Sequence, residues 1–175
     1  MCSAPRWREE ERASRHSEQL ISPTLIQSYT IFSLIDLARE DFIGTWRLAS
    51  VETRKEDGSL HRRGSRTGYI IYSADGYMSV AFMKEGRSEF ASGDIRGGTI
   101  DEKVEALNGY ISYSGRYEVA RDSVYHHIEV SLFPNWIGDK QERHFEFDGD
   151  RLILSTPLQL IGGMHLSSHL VWEKA

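Results

Sequence analysis

Groups able to move protons lie where the pattern of this sequence is otherwise apolar. In the run 123–133, side chains alternate so that Val124, His126, Ile128, Val130 and Leu132 share one face. Tyr125, His127, Glu129 and Ser131 share the other. His126 is thus an isolated ionisable group on an apolar face. Burial disfavours its charged form, so a neutral imidazole could take up a proton or accept a hydrogen bond near neutral pH. The run 110–119 places Tyr113 and Tyr117 with Ile111, Gly115 and Val119, and phenols can donate to a carbonyl oxygen on which negative charge develops. The run 140–147 places Arg143 with Phe145 and Phe147. A guanidinium facing inward keeps its charge and needs a carboxylate, a carbonyl or an anionic ligand. His126, Tyr113 and Arg143 are therefore the candidate catalytic groups, fit to protonate, deprotonate or polarise a carbonyl in a cofactor-free isomerisation, cyclisation or dehydration.

Each of these also has a structural reading. An inward histidine can be a core residue bonded to a backbone carbonyl or a tyrosine, and tyrosines are strand formers with a large area to bury. Other chemistries find no support. His126 and His127 put their rings on opposite faces, His165 and His169 lack a carboxylate at chelating spacing, and Cys2 is the sole cysteine, so no metal site is expected. No glycine pattern of a nucleophile elbow surrounds a serine, and Gly93, Gly97 and Gly98 precede no helix directly. Neither a nucleotide site nor any other cofactor is expected.

The elements that would hold these groups are strands. From Gly44 on, strand-like runs alternate with turn signals roughly every ten residues, the spacing of all-β domains. Eight strands are expected at 44–54, 68–73, 77–83, 110–119, 123–133, 140–147, 151–155 and 164–173. Asp57-Gly58, Asp75-Gly76 and Asp148-Gly149 are tight-hairpin dipeptides. Short connections make an up-and-down antiparallel meander, and closing it into a barrel removes the exposed edges while leaving room for side chains or one small ligand. The long interruption from Lys84 to Asn108 carries a predicted helix capped by Thr99, with apolar Val104 and Leu107, which is either a lid or an insertion. Phe133-Pro134-Asn135-Trp136 forms a rim corner with Trp136 as a gate or a plug.

Composition changes near residue 40. Residues 1–41 form an extension, disordered over 1–18, with a short helix over Tyr29 to Arg39 packing on the barrel end; residues 42–175 form the barrel domain. The chain is 39% hydrophobic and 11% aromatic with a formal net charge of -5, enough for a core and unfavourable for binding nucleic acid or anionic membrane. No run reaches the roughly 18 apolar residues of a membrane span. Mixed charge over Arg6 to Arg12 does not fit a signal peptide, so a cytoplasmic protein is expected.

Gly44-Thr45-Trp46-Arg47-Leu48 resembles the Gly-x-Trp signature of lipocalins. The segments GYIIYSADGYMSV, FASGD, GYISYSGRYEV, HHIEVSLFPNWIGDKQERHFEFDGDRLILST and LVWEKA extend the likeness over 42–175 to the lipocalin-like domain family of bacteria and fungi. The resemblance implies a β-barrel, with relatives found near biosynthetic genes for specialised metabolites. It turns Trp46 inward to close the barrel base, which brings Glu52 to the interior or rim, where Arg143 could pair with Glu52 or stack on Trp46. Trp46, Glu52, Tyr72, Tyr117, Ile128, Trp136 and Phe145 then join the catalytic candidates as ligand-binding residues. The expected partner is a small apolar molecule, either changed by an isomerase or cyclase or merely carried. A homodimer is compatible with the sequence.

Overall fold

A computed structural model describes residues 39–175 of the chain. It holds strands β1 (Gly44–Lys55), β2 (Leu60–Gly64), β3 (Arg66–Tyr72), β4 (Tyr77–Lys84), β5 (Tyr110–Val119), β6 (Ser123–Ser131), β7 (Lys140–Asp148), β8 (Arg151–Ser155), β9 (Gln159–Ile161) and β10 (Met164–Lys174). Helix α1 (Ile100–Asn108) lies between β4 and β5. The order in the sheet is β2-β1-β3-β4-β5-β6-β7-β8-β10-β9, and β1 also pairs with β10. That last pairing runs from Trp46 opposite Lys174 to Lys55 opposite Leu166. It closes β1, β3, β4, β5, β6, β7, β8 and β10 into an eight-stranded antiparallel barrel, as the meander led one to expect. The short strands β2 and β9, absent from the sequence reading, extend the wall beside β1 and β10.

Turn chemistry sets the reversals. Gly58, Gly76 and Gly149 all adopt positive φ, the backbone region that a side chain disfavours and a tight hairpin requires. The helix over Tyr29 to Arg39 and the disorder over 1–18 lie outside the described residues, except that 39–42 form a helical turn. Thr99 caps α1 as read: its hydroxyl accepts from the Glu102 amide, and the Glu102 carboxylate accepts from the Thr99 amide. The helix nonetheless buries no residue. Val104 and Leu107 stay about half exposed, so α1 stands beside the barrel wall without being packed into it.

Alternation along the strands leaves two ends of different character. At the end where β1 begins and β10 finishes, Phe42, Trp46, Tyr72 and Leu152 are exposed by 2% or less. Phe42 plugs this base, with its ring edge-on to Tyr72, Phe145 and Phe147 at 4.9–5.2 Å. Trp46 donates from Nε1 to the Phe42 carbonyl at 2.8 Å, and the Lys174 ammonium sits 3.9 Å from the Trp46 ring. At the other end, inward Thr53, Arg66, Phe82, Ile111 and Leu170 are only half-buried. The barrel is thus a cup filled at its base and less tightly buried at its mouth, and the segment between β4 and β5 rises from its rim.

Two bulges shift the alternation. In β1, Leu48 pairs with Trp172 but Ser50 pairs with Val171, so Ala49 is extra. Beyond it Val51 faces inward with Leu170, and Glu52 faces outward with His169. This corrects the placement of Glu52 at the interior. In β6, Ser114 pairs with Val130 while Gly115 pairs with Ile128, so Glu129 is extra. Val130, expected inside, is instead 67% exposed. Gly115 permits the close crossing here, because a Cβ on it would lie 1.9 Å from the His127 carbonyl oxygen. Gly115→Ala should therefore lower the unfolding free energy by about 1–3 kcal/mol in a urea titration. Gly93→Ala, in open space, should stay within about 0.5 kcal/mol of the parent.

Candidate functional site

The fully buried His126 side chain projects from β6 between β5 and β7, opposite Tyr117 and Gln141. Both its nitrogens are engaged. The Tyr72 phenol oxygen lies 2.8 Å from Nε2, and that of Tyr113 lies 3.1 Å from Nδ1. Tyr72 arrives from the end of β3 and Tyr113 from the middle of β5, each at an inward position beside buried neighbours. Burial first, then the Arg143 guanidinium and His127, holds the His126 pKa well below its ordinary value. Burial, with Tyr113 next, pushes the Tyr72 phenol well up. His126 and Tyr72 are therefore neutral, and the protons around the imidazole can be assigned by counting donors and acceptors.

A neutral imidazole donates from one nitrogen and accepts at the other. If Nε2 carried the proton, Tyr72 would accept it and would need another acceptor for its own hydroxyl. Its recorded side-chain partner is His126, and it is 1% exposed, so that arrangement would strand a buried donor at about 1–3 kcal/mol. With the proton on Nδ1, Tyr72 donates to Nε2, Nδ1–H donates to Tyr113, and the Tyr113 hydroxyl hydrogen is left over. Tyr113 is the member with residual exposure, 7%, and Trp136 from the β6–β7 connection stands edge-on to it at 5.7 Å. The geometry leaves the phenol proton of Tyr113, rather than the imidazole of His126, without a partner among the described residues.

The other candidates divide by position. Tyr117 is anchored by donating to the Ser73 carbonyl at 2.9 Å and stacks edge-on against Tyr72, while Ile128 is core and Phe145 packs on Phe42. Trp46 belongs to the base. Glu52 stands on the outer face, where hydrogen bonds from Arg63 and then Arg54 hold its carboxyl below the usual range. Arg143 neither pairs with Glu52 nor stacks on Trp46. It donates to the Glu142 carbonyl at 2.7 Å and to the Gln141 side chain, with no carboxylate at ion-pair distance among the described residues. Its charge thus reaches His126 and Tyr72 uncompensated. No cluster of three or more metal-ligating side chains occurs among the described residues, and none of their helices is long and apolar enough to cross a membrane.

Sequence reading missed Phe82, Arg66 and Trp172. Phe82 faces inward opposite Gly68 and Ile111; Arg66 shares the face of Ile70 and Tyr72 and lies over the Phe82 ring, with its guanidinium carbon 5.6 Å from the centroid. Alternation counted back from Tyr72 would have placed Arg66 inward had the strand been started two residues earlier. Trp172 lies within the closing segment LVWEKA, and its ring meets Phe82 at 6.4 Å.

A closed antiparallel barrel with a plugged base and an aromatic interior defines the class, and the chain belongs to the lipocalin-like domain family, which matches residues 43–175. Among characterised proteins it is similar to the 4'-hydroxy-3'-methoxypropiophenone carrier protein of Aspergillus oryzae, at 37% identity over 107 residues, 55% of this chain and 96% of the relative. Among solved structures it matches a lipocalin-like protein from Bacteroides uniformis with a TM-score of 0.41 and 14% identity, over 77% of this chain and 99% of that one.

The buried neutral imidazole carries a pH signature. Above about pH 6.5, the ordinary histidine value, His126 is neutral folded and unfolded, and its contribution is complete. As pH falls below that value the unfolded chain takes up a proton that the folded chain refuses, so stability declines until the depressed folded pKa is reached. The slope should approach roughly 1.4 kcal/mol per pH unit. Urea unfolding at pH 7.5 and 5.5 should show this loss, and His126→Gln should flatten it; an equal slope in that variant would mean that other groups cause it.

Proposed function

We propose that the barrel binds one small aromatic or otherwise apolar molecule at its mouth and carries it unchanged. The observation that bears most weight is the saturation of His126. With both nitrogens engaged by tyrosines and no exposure, the imidazole cannot reach a substrate proton without breaking a buried bond. What remains for a ligand is a rim of half-buried apolar groups (Phe82, Ile111, Trp136 and Leu170) with the Tyr113 hydroxyl as a placed donor. Apolar walls with few oriented polar points suit binding. The Aspergillus relative, described as a carrier of an aryl ketone, supports the same reading, since a ketone or phenol oxygen can accept from Tyr113.

One feature favours a second reading, a cofactor-free isomerase or cyclase in specialised metabolism. The chain Tyr72–His126–Tyr113 could let Tyr113 give its phenol proton to a substrate while Nδ1 passes its proton to Tyr113 and Nε2 takes that of Tyr72. The Tyr72 phenolate so formed, favoured by the Arg143 charge, is reprotonated by the reverse relay when the substrate returns a proton. Both readings use Tyr113, and they separate on turnover. Titration of the full chain with 4'-hydroxy-3'-methoxypropiophenone, followed by tryptophan fluorescence, should show saturable one-to-one binding. The ligand extracted afterwards should be chemically identical to that added. Tyr113→Phe should weaken binding by about 3- to 10-fold, the worth of one net hydrogen bond. Absence of saturable binding for this ketone and for a panel of apolar metabolites would remove the carrier reading. A converted product whose formation Tyr113→Phe abolishes, with affinity kept, would establish the enzyme instead.

A further inference from the structure

Among the described buried side-chain polar atoms, two lack a hydrogen-bond partner: Nη1 of Arg66 and Nε1 of Trp172. Both are donors only. They come from strands on opposite sides of β1, at inward positions of β3 and β10, and they are linked through one ring: Arg66 lies over Phe82, and Trp172 meets Phe82 edge-on. Trp172 is 1% exposed. Buried donors left unpaired are rare in folded proteins and call for an explanation. Here one of them is also a cation, and no carboxylate lies at ion-pair distance from it among the described residues. Burial, and then Arg62, presses the Arg66 guanidinium toward its neutral form; an anion at this place would relieve that pressure.

We propose that the mouth of the barrel recognises a carboxylate, held by Arg66 and the Trp172 indole N–H, on a ligand whose apolar body lies against Phe82. The inference rests on the small-molecule-binding reading and narrows it to an apolar acid. A carboxylate offers two oxygens, one for each donor, and a charge to match the guanidinium. The two nitrogens are shielded from solvent in the unliganded chain, so the ligand must displace side chains to meet them. Arg66 is suited to this, being half-buried at the rim on a long flexible stem. The exchange trades two unpaired donors for two charge-assisted bonds, whereas a neutral ester of the same shape would gain the apolar contact alone.

The test uses the full chain, with N-phenyl-1-naphthylamine as a neutral fluorescent reporter of the apolar site. This dye is displaced by 2-naphthoate or by methyl 2-naphthoate, which share a ring system and differ in charge. Apolar attraction alone favours the ester, so a preference for the acid reports recognition of the anion. The parent chain should bind the acid at least 10-fold more tightly than the ester. Arg66→Met should abolish that preference, Trp172→Phe should reduce it a few-fold, and Arg116→Met, on the outer face beside Tyr77, should leave it intact. If the dye binds the parent but the ester competes as well as the acid, the carboxylate site is wrong and the apolar chamber stands. If the dye does not bind the parent at all, the chamber falls and this site with it. Because the acid-to-ester ratio is read on the parent, a Trp172 variant that fails to fold leaves the decision unaffected.

Discussion

The pairing of β1 with β10 is the constraint on which the rest of this molecule depends. Without it the chain would be an open sheet with two unpaired edges and one greasy face in water. With it, every second residue of eight strands is turned toward a common axis, and residues distant in sequence become neighbours. Trp46 near the start of β1 meets Lys174 at the end of β10, and the ammonium on the indole face and the carbonyl of Ile43 ties the last strand to the first at the base. Phe42, one turn before β1, fills the hole that the tilt of the strands leaves there. Closure, plug and latch involve only a few residues, yet together they make an inside.

Polar groups placed in that inside must be satisfied, and the barrel meets this demand unequally along its axis. Toward the base the accounts close: the Trp46 N–H bonds the Phe42 carbonyl, Tyr117 bonds Ser73, and His126 is held from both sides by Tyr72 and Tyr113. Such a triad contributes little net stability as a set of hydrogen bonds. It does, however, fix the ring orientations of two tyrosines, because any other arrangement strands a buried donor.

The architecture was legible in the sequence because two local signals agreed. Period-two alternation marked the strands, and Asp-Gly dipeptides marked three of the reversals, so those hairpins were specified by adjacent residues. The inward face of β5 and the burial of His126 followed from the same alternation. What could not be read were the interruptions of that alternation. A bulge adds one residue at Ala49 and another at Glu129, and nothing in the side chains there announces the change of parity. Glu52 and Val130 consequently sit on the opposite face from the one counting gives. The strand β2 was hidden by its composition, since LHRRG has a histidine and two arginines where an apolar alternation would mark a strand, and it is held by its edge pairing with β1. Arg66 was lost in the same basic run, where a guanidinium reads as solvated although alternation from Tyr72 and Ile70 turns it inward.

These parity shifts also decide what the interior can recognise. Had β1 run without its bulge, Glu52 would face inward in the half of the barrel where Arg66 lies, and the two could neutralise each other. The extra residue at Ala49 instead sends that carboxylate to the outer face, where Arg63 and Arg54 take it up, and leaves Val51 to the interior. The mouth therefore keeps the Arg66 cation and loses the acid that counting would have placed beside it. A backbone irregularity that costs a ladder position in β1 thus changes the charge balance of the cup. The interior remains apolar in its walls, neutral at His126 and Tyr72, and positive where Arg66 and Arg143 stand.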